Sequence, residues 1–168
     1  NDMMDEFGID DLEPLSDYII GTSRRGTIKA ISELPRGTWH SRLTVDGLDG
    51  KDIVLRAALT IAEDTVRLDF GGTDGCVGKG INVPLNYAAA YSVFALRCIV
   101  GPDIPNNAGS LGPFRVTGPE GCILNARPPA PVAMRHTLGQ MTPDLVYGCL
   151  SQALPDLVPA EGASCMYD

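Results

Sequence analysis

The sequence predicts an α+β fold in which an antiparallel sheet packs against an apolar helix. Residues 66–70 alternate apolar and polar side chains, with Val66, Leu68 and Phe70 as the apolar set. This period of two is typical of a strand with one buried face. Pro84 then precedes an almost uninterrupted apolar stretch that runs to Val100, which predicts a buried helix against the sheet. A meander of about three strands, together with further short strands, would complete the sheet.

A glycine-rich loop separates this strand from this helix. Its glycines are Gly71, Gly72, Gly75, Gly78 and Gly80. Glycine loops often bind phosphate, because backbone amides can approach an anion where no Cβ interferes. The Walker pattern fails here, since Thr73 stands where a glycine is needed and Gly80 stands where Ser or Thr is needed. No dinucleotide fingerprint fits either. The spacing alone therefore favours a long turn leaving the sheet, with a ligand loop as the alternative.

The chain divides into a helical segment at residues 1–37 and an α+β core domain at residues 38–168. Residues 2–7 predict a helical turn that Gly8 closes. Because Asn1 is not preceded by an initiator methionine, we expect the chain to be an internal fragment of a longer subunit.

A longer scaffold helix follows, and Asp10 with Glu13 three residues later predicts the capping box that opens it. Its predicted apolar stripe comprises Leu12, Leu15, Ile19, Ile20, Ile28, Ile31 and Leu34. Gly21 and Gly26 lie in its middle and predict either a break or a close packing contact.

The predicted meander has strands at residues 38–45 and 53–61, and its third strand follows Asp64. The turn between the first two strands is predicted from Asp46-Gly47 and Asp49-Gly50. His40 lies in the first strand without metal-ligand spacing to another residue, so we interpret it as a structural histidine.

The segments after the apolar helix are less regular. Residues 103–109 are predicted to be irregular, and residues 114–117 to form a short strand. Four prolines lie within residues 119–131, which predicts a fixed, extended connection.

A C-terminal helix is the last predicted element. Thr142 would be its hydroxyl N-cap, Pro143 its first helical residue and Asp144 the acid in its first turn. Its predicted apolar face comprises Leu145, Val146, Cys149, Leu150, Ala153 and Leu154, and Pro155 would end it.

The composition excludes two classes of partner. The formal net charge is -8 and the Lys and Arg residues are scattered along the sequence, whereas a nucleic-acid binder needs a concentrated cationic face. The longest apolar run, from Leu85 to Val100, is too short to span a membrane and is interrupted by Arg97. We therefore predict neither a nucleic-acid nor a membrane partner.

Five cysteines lie far apart, and their odd count without a C-x-x-C pair fits neither a disulfide framework nor a zinc ribbon. They are Cys76, Cys98, Cys122, Cys149 and Cys165. We predict reduced thiols in a cytoplasmic protein, buried as small apolar residues, and no metal site.

Several segments form an ordered set with characteristic spacing. They are Leu34-Pro35-Arg36-Gly37-Thr38, Leu68-Asp69-Phe70-Gly71-Gly72-Thr73, Gly80-Ile81-Asn82-Val83-Pro84, Tyr91 with Ala95-Leu96-Arg97-Cys98, Pro102-Asp103-Ile104-Pro105-Asn106-Asn107-Ala108-Gly109, Pro119-Glu120-Gly121-Cys122-Ile123-Leu124-Asn125-Ala126-Arg127-Pro128-Pro129-Ala130, and Gln152-Ala153-Leu154-Pro155. Together these segments resemble the hydantoinase B/oxoprolinase family, which also includes subunits of ketone carboxylases.

The resemblance implies ATP-dependent opening of a cyclic amide such as a hydantoin or 5-oxoproline. Family members are several times longer, so the remainder of the subunit would hold a divalent metal and a partner of actin-like ATPase fold, the hydantoinase A type, would use ATP. Phosphorylating the lactam oxygen, or placing it on a metal, supplies the charge stabilisation that attack by water needs. The isolated segment is expected to be inactive, because the family's metal-binding motif would lie before Asn1.

The resemblance also implies substrate-binding residues at matching positions. The group that would end a strand beside the active cleft comprises Asp69, Gly71, Gly72 and Thr73. Asn82 would brace the glycine loop, and Asn107 with Gly109 would form a second polar loop. Hydrogen bonding to a substrate amide or phosphate is one interpretation, and turn closure by these side chains is the other.

The chain departs from the family after Ala133, where many hydantoinases share a Gly-Asn-x-Glu-x-x-Gln-Arg stretch that is absent here. The departure leaves the substrate open between a hydantoin, an oxoproline and a ketone. Arg135 and His136 would bind an anionic or ketone-derived substrate, or would be a salt-bridged arginine and a structural histidine. A structural or subunit-interface module is the alternative function for the whole segment.

Overall fold

The computed structural model describes residues 2–47 and 50–162, with side chains from Met4 onward. Asp49 of the predicted turn and Cys165 lie outside the described residues. Within them, none of the helices is both long enough and apolar enough to cross a bilayer.

The α+β prediction is confirmed, and one four-stranded sheet organises the chain in the order β1-β2-β3-β4. The strands are β1 (Gly37–Val45), β2 (Ile53–Ile61), β3 (Val66–Asp69) and β4 (Phe114–Thr117). The first three pair antiparallel, as the predicted meander requires. The fourth pairs parallel to β3, because the chain crosses over through a helix before it returns to the sheet. The sequence predicted this short strand but not its parallel pairing.

Two helices build the core on one face of the sheet. The C-terminal helix, here α6 (Thr142–Ala153), packs on β1 and β2, whereas the apolar helix, here α3 (Leu85–Ile99), packs on α6 and β4. The inward side chains of β2 and of both helices exclude water almost completely; Leu55, Leu59, Leu96, Leu145 and Leu150 are each at most 1% exposed. The opposite face of the sheet carries no helix among the described elements.

The N-terminal helices are α1 (Asp2–Phe7) and α2 (Glu13–Ser32), and Gly8 follows α1 with a positive φ of 60°, as expected. The predicted capping box is wrong, because the carboxylate of Asp11, not Asp10, accepts the backbone N–H of Glu13. The predicted apolar stripe is also wrong in the first half of α2. Leu15 and Ile19 are exposed there, and the buried residues of α2 are Ser23, Thr27 and Ile31, all in its second half.

The helix α2 is continuous through Gly21 and Gly26, so neither glycine marks a break, and close packing explains Gly26. A Cβ on Gly26 would lie 3.1 Å from the Ile104 side chain. The packing partner of α2 is the short helix α4 (Ala108–Leu111), within the segment that was predicted to be irregular.

Several local predictions need correction. Pro84 is the N-cap of α3, with extended backbone, and Phe94 on that helix is 62% exposed, so α3 is buried on one side only. Thr142 is not an N-cap, because its hydroxyl donates to the carbonyl of Gly139 in the preceding short helix α5 (His136–Gly139). Residues 119–131 form successive turns, not an extended connection.

Candidate functional site

The glycine loop, residues 71–83, is fastened to the sheet by its own polar side chains. The Thr73 hydroxyl accepts the Arg56 N–H at 2.9 Å and donates to the Arg56 carbonyl at 3.0 Å. The Asp74 carboxylate accepts the Val54 N–H at 2.8 Å, and the Asp74 N–H donates to the Val54 carbonyl at 3.0 Å. The loop therefore continues the pairing of β2 after β3 has ended.

Asn82 closes the other end of the loop from inside the protein, where it is fully buried. Its side-chain oxygen accepts the Val77 N–H at 2.8 Å. Its amide nitrogen donates to the carbonyls of Val77, Lys79 and Pro131 at 2.8 to 2.9 Å. Asn82 thus braces the loop, and both hydrogens of its side-chain amide are used within the protein.

The segment after the loop is paired with the proline-rich segment. Val83 donates its N–H to the Ile123 carbonyl at 2.8 Å and accepts the Ala126 N–H at 3.0 Å. The Met134 N–H donates to the Gly80 carbonyl at 2.8 Å. Two segments that carry the family resemblance, residues 80–84 and 119–130, are therefore held side by side.

A groove of about 620 Å³, which we call the motif groove, opens where these two segments meet the start of α3. Its lining residues are Pro84, Leu85, Asn86, Ala89, Val116, Asn125, Ala126, Arg127, Pro128, Ala130 and Val132. The lining is mainly apolar with three polar side chains, which is the usual composition of a small-molecule site, and its volume lies within the usual range for ligands.

The polar side chains of the motif groove differ in how many hydrogen-bond donors they have left for a ligand. Asn125 is buried and donates to the Gly118 carbonyl at 2.8 Å. Asn86 is exposed; its side-chain oxygen accepts the Tyr87 N–H, and its amide nitrogen donates to no described residue. Arg127 is exposed and pairs with Glu120 at 3.0 Å. Asn86 and Arg127 therefore have donors left for a ligand.

A smaller cavity of about 210 Å³ lies between the glycine loop and the turn that follows β1. Lys51 and Lys79 line it together with Asp52 and Asp74. Its volume is below that of typical ligand pockets, so the motif groove is the stronger candidate for substrate.

The implied site residues at the end of β3 face the sheet and not the motif groove. Asp69 accepts the Thr117 hydroxyl at 3.0 Å and borders a groove of about 530 Å³ on the open sheet face, beside Arg67 and Arg115. Gly72 has a φ of 82°, which favours glycine, and it lies against the Arg56 side chain. A Cβ on Gly71 would lie 2.7 Å from the Asp69 carboxylate.

The implied second polar loop is the N-terminus of α4. The Asn107 side-chain oxygen accepts the N–H groups of Gly109 and Ser110, and its amide nitrogen donates to the Ser23 hydroxyl of α2 at 2.8 Å. A Cβ on Gly109 would lie 2.0 Å from the Ile20 carbonyl, so this glycine allows α2 and α4 to touch. Both residues serve helix capping and packing here.

Arg135 and His136 lie at the start of α5. The Arg135 guanidinium is 5.6 Å from the centre of the Tyr87 ring, which stacks on Tyr91. The hydrogen bond to Tyr91, followed by burial, raises the pKa of Tyr87. The contact of Arg135 is thus a cation–π contact and not the salt bridge that was the structural alternative.

The structure does not bring the implied residues together. Asp69 borders the open sheet face, Asn107 borders a groove along α2, and Asn82 is enclosed. Asn86, Asn125 and Arg127 were not singled out, although Asn125 and Arg127 stand within a quoted family segment. Their position in that segment was the available signal, but only the fold shows that they share a groove.

Arg97 is an internal cation, 7% exposed. Its guanidinium donates to the Asn106 side chain at 3.1 Å and to the carbonyls of Val100 and Ile104. Burial lowers the pKa of Arg97. These neutral acceptors lie beyond the C-terminal turn of α3, so Arg97 holds the next segment against the helix.

Residues 2–47 and 50–162 contain no group of three or more His, Cys, Asp and Glu side chains that could hold a metal ion. The four cysteines in this part of the chain are free thiols, and Cys98 is exposed, contrary to the prediction that each is buried. Cys76 borders Cys122, whose carbonyl lies 3.5 Å from the Cys76 sulfur. Burial raises the pKa of both thiols.

Comparison with known proteins gives concordant results. The sequence model of Hydantoinase B/oxoprolinase matches residues 1–168. A Pseudomonas protein named as the B-type component of a D-/L-hydantoinase is 27% identical over 95% of this chain and 29% of its own length. The 5-oxoprolinase 1 of Arabidopsis thaliana is 32% identical over 68% of this chain and 10% of its own length.

A solved structure shows the same fold. The ATP-dependent caprolactamase of Pseudomonas jessenii superposes with a TM-score of 0.81 and 21% identity, over 93% of this chain and 28% of that one. This chain therefore spans less than a third of the length of each of these three proteins.

Proposed function

The chain belongs to the hydantoinase B/oxoprolinase family, and from that premise we propose that it forms one wall of the substrate site in an ATP-dependent cyclic amide hydrolase. The observation that carries the proposal is the motif groove. Two of the segments that resemble the family converge on this groove, whose polar groups still have free donors.

The reaction that fits is the hydrolytic opening of a lactam ring. One water adds to the amide carbonyl and the C–N bond breaks, which gives a carboxylate and an amine, or a ureido group where the ring is a hydantoin. A second water is consumed as ATP is converted to ADP and phosphate. The apolar lining of the groove, from Pro84, Ala89 and Ala130, suits the flat hydrocarbon part of such a ring.

Two side chains would orient the substrate. The amide nitrogen of Asn86 is free to donate to the lactam carbonyl oxygen, where negative charge develops during attack. The Arg127 guanidinium would bind the carboxylate that ring opening releases, and would exchange its exposed contact with Glu120 for this ligand. These are binding and orienting roles.

ATP and a divalent metal belong to parts of the enzyme outside this chain. Residues 2–47 and 50–162 contain no group of three or more His, Cys, Asp and Glu side chains that could hold a metal ion, and the residues of the motif groove are given binding roles alone. The Pseudomonas relative is named as one subunit of a hydantoinase, which supports a partner subunit. We assign ATP use to a hydantoinase A-type partner, and the isolated chain is inactive. We also propose a reducing, cytoplasmic setting, which is consistent with the free thiols of Cys76 and Cys122.

The test uses the full-length subunit together with its ATPase partner. Hydantoin, 5-oxoproline and caprolactam are each supplied with ATP, and both ring opening and ADP release are measured. We expect at least one lactam to be opened with matching release of ADP. ADP release that requires acetone and bicarbonate instead would assign the chain to a ketone carboxylase, and would contradict the proposal.

A structural or subunit-interface module is the second candidate. It is favoured by Thr73, Asn82 and Asn107, because the hydrogen bonds of these implied site residues all serve the fold. A variant of Arg127 distinguishes the two candidate functions. Lost turnover with intact assembly in an Arg127 variant supports the enzyme wall, whereas lost assembly with normal specific activity supports the module.

A further inference from the structure

The open face of the sheet is cationic, although the chain as a whole is acidic. Each strand contributes one outward arginine, so that the face carries Arg42 on β1, Arg56 on β2, Arg67 on β3 and Arg115 on β4. We call this surface the arginine face. Asp69 is the acidic side chain that these four strands place on it. With a net charge of -8 for the whole chain, this concentration of positive charge requires an explanation.

The register opposes like charges directly. Arg42 pairs with Arg56 across β1 and β2, and Arg67 pairs with Arg115 across β3 and β4. Like charges in directly opposite positions destabilise a sheet. Stability of the sheet therefore does not account for this arrangement.

The described residues do not neutralise the arginine face. Two ion pairs among the described residues lie elsewhere, between Arg36 and Glu63 and between Arg127 and Glu120. The carboxylate of Asp69 accepts the Thr117 hydroxyl. Arg115 donates to the carbonyls of Gly112 and Phe114, which fixes its position without compensating its charge.

The opposite charge is concentrated in the N-terminal part of the same chain. No Lys or Arg precedes Arg24. Between Met4 and Asp17, which we call the acidic segment, the carboxylates are those of Asp5, Glu6, Asp10, Asp11, Glu13 and Asp17, and all of these residues are exposed. Large apolar side chains in and beside this segment are exposed as well, among them Phe7 at 67% and Tyr18 at 68%.

We propose that the arginine face is a docking surface for the acidic segment of a second copy of this chain. Charge complementarity carries the proposal, because the exposed acidic segment contains no Lys or Arg, whereas the described sheet face opposite the helices gathers arginines from four strands. The exposed Phe7 and Tyr18 would bury apolar surface at the same contact. Each copy would place its acidic segment on the arginine face of the other. Both surfaces of both copies are then occupied, so the assembly stops at a dimer.

The test is sedimentation velocity of the full-length subunit over a range of salt concentrations. We expect self-association that weakens as salt rises, because exposed charges are screened. The double variant Arg42→Glu and Arg56→Glu should raise the dimer dissociation constant by at least about tenfold. The matched control, Arg25→Glu with Lys29→Glu, changes the net charge equally on an exposed part of α2 outside the acidic segment and should leave the dimer intact.

A charge swap makes the test specific. The reverse variant, with Asp10, Asp11, Glu13 and Asp17 changed to Lys, should also fail to dimerise alone. Mixing it with the Arg42→Glu, Arg56→Glu variant restores opposite charges at both contacts and should restore dimers. Circular dichroism confirms that each variant is folded.

Three outcomes overturn the proposal. The first is a subunit that is monomeric at every salt concentration. The second is a dimer that both charge reversals leave unchanged. The third is a loss of thermal stability in the Arg42→Glu, Arg56→Glu variant without a change in association, which means that the remainder of the subunit, and not a second copy, covers the arginine face.

Discussion

The hydroxyl group of Thr73 accepts a hydrogen bond from the N–H of Arg56 and donates one to the carbonyl of the same residue. These are the two backbone groups that a neighbouring strand would otherwise bind. A side chain near the start of the glycine loop thus completes the sheet. This relationship explains why a residue that the family resemblance marks as a site residue is 9% exposed and fully bonded.

Replacing Thr73 tests this bonding. Thr73→Val keeps the shape but leaves both backbone groups of Arg56 without this partner, so we expect a loss of about 1–3 kcal/mol in the free energy of unfolding. Thr73→Ser keeps the hydroxyl and should lose about 0.8 kcal/mol, the contribution of one methylene-sized group. Urea unfolding measures both values. Equal losses in the two variants would show that the hydroxyl contributes nothing.

Asn82 is predicted to be a stability residue. In Asn82→Asp, the three carbonyls of Val77, Lys79 and Pro131 would face a buried carboxylate in place of an amide donor. An uncompensated buried charge costs about 3–5 kcal/mol, so this variant should be close to unfolding. The control Asn86→Asp is exposed and should stay within about 0.5 kcal/mol of the parent. A stable Asn82→Asp variant would refute the bracing role.

Gly109 is predicted to be required for the contact between α2 and α4. In Gly109→Ala the new Cβ would lie 2.0 Å from the Ile20 carbonyl, so the helices must separate and the melting temperature should fall. Overpacking of this kind costs about 1–3 kcal/mol or more. Gly78→Ala is the control, since no atom lies within 4 Å of its new Cβ. Similar melting temperatures for the two variants would contradict the packing role.

The buried thiol of Cys149 makes stability depend on pH in the alkaline range. Burial raises its pKa from the ordinary 9.0 to about 11. As the pH rises, the unfolded chain loses the thiol proton first, so the stabilisation is complete below pH 9 and is lost between about pH 9 and 11. The parent should lose about 2 kcal/mol more than Cys149→Ala across this window. Parallel pH profiles for the two proteins would contradict the prediction.

Local periodicity was sufficient to predict the main elements of the fold. The alternation of Val66, Leu68 and Phe70 located β3, and the apolar run after Pro84 located α3, because both patterns depend on which neighbouring side chains share a face. The parallel pairing of β4 and the exposure of the first half of α2 depend on partners distant in the sequence, so no local pattern contains them.

The site was less predictable for the same reason. Asn107 and Thr73 are polar residues in loops, and the sequence could not separate a ligand contact from a capping contact, since both need the same oxygen atoms. The motif groove needs Asn86 and Arg127 from segments 41 positions apart. The arginines that were scattered in the sequence became one surface only through the register of four strands.

The most direct measurement of the central claim is kcat/KM for lactam opening by the Arg127→Gln variant of the full-length subunit with its ATPase partner. Glu120→Gln is the matched control, because it breaks the same exposed ion pair but leaves the groove cation in place. We predict a fall of at least about tenfold for Arg127→Gln, a change of less than about threefold for Glu120→Gln, and intact assembly in both. Full activity in Arg127→Gln, or an equal loss in both variants, would contradict the assignment of the motif groove to the substrate.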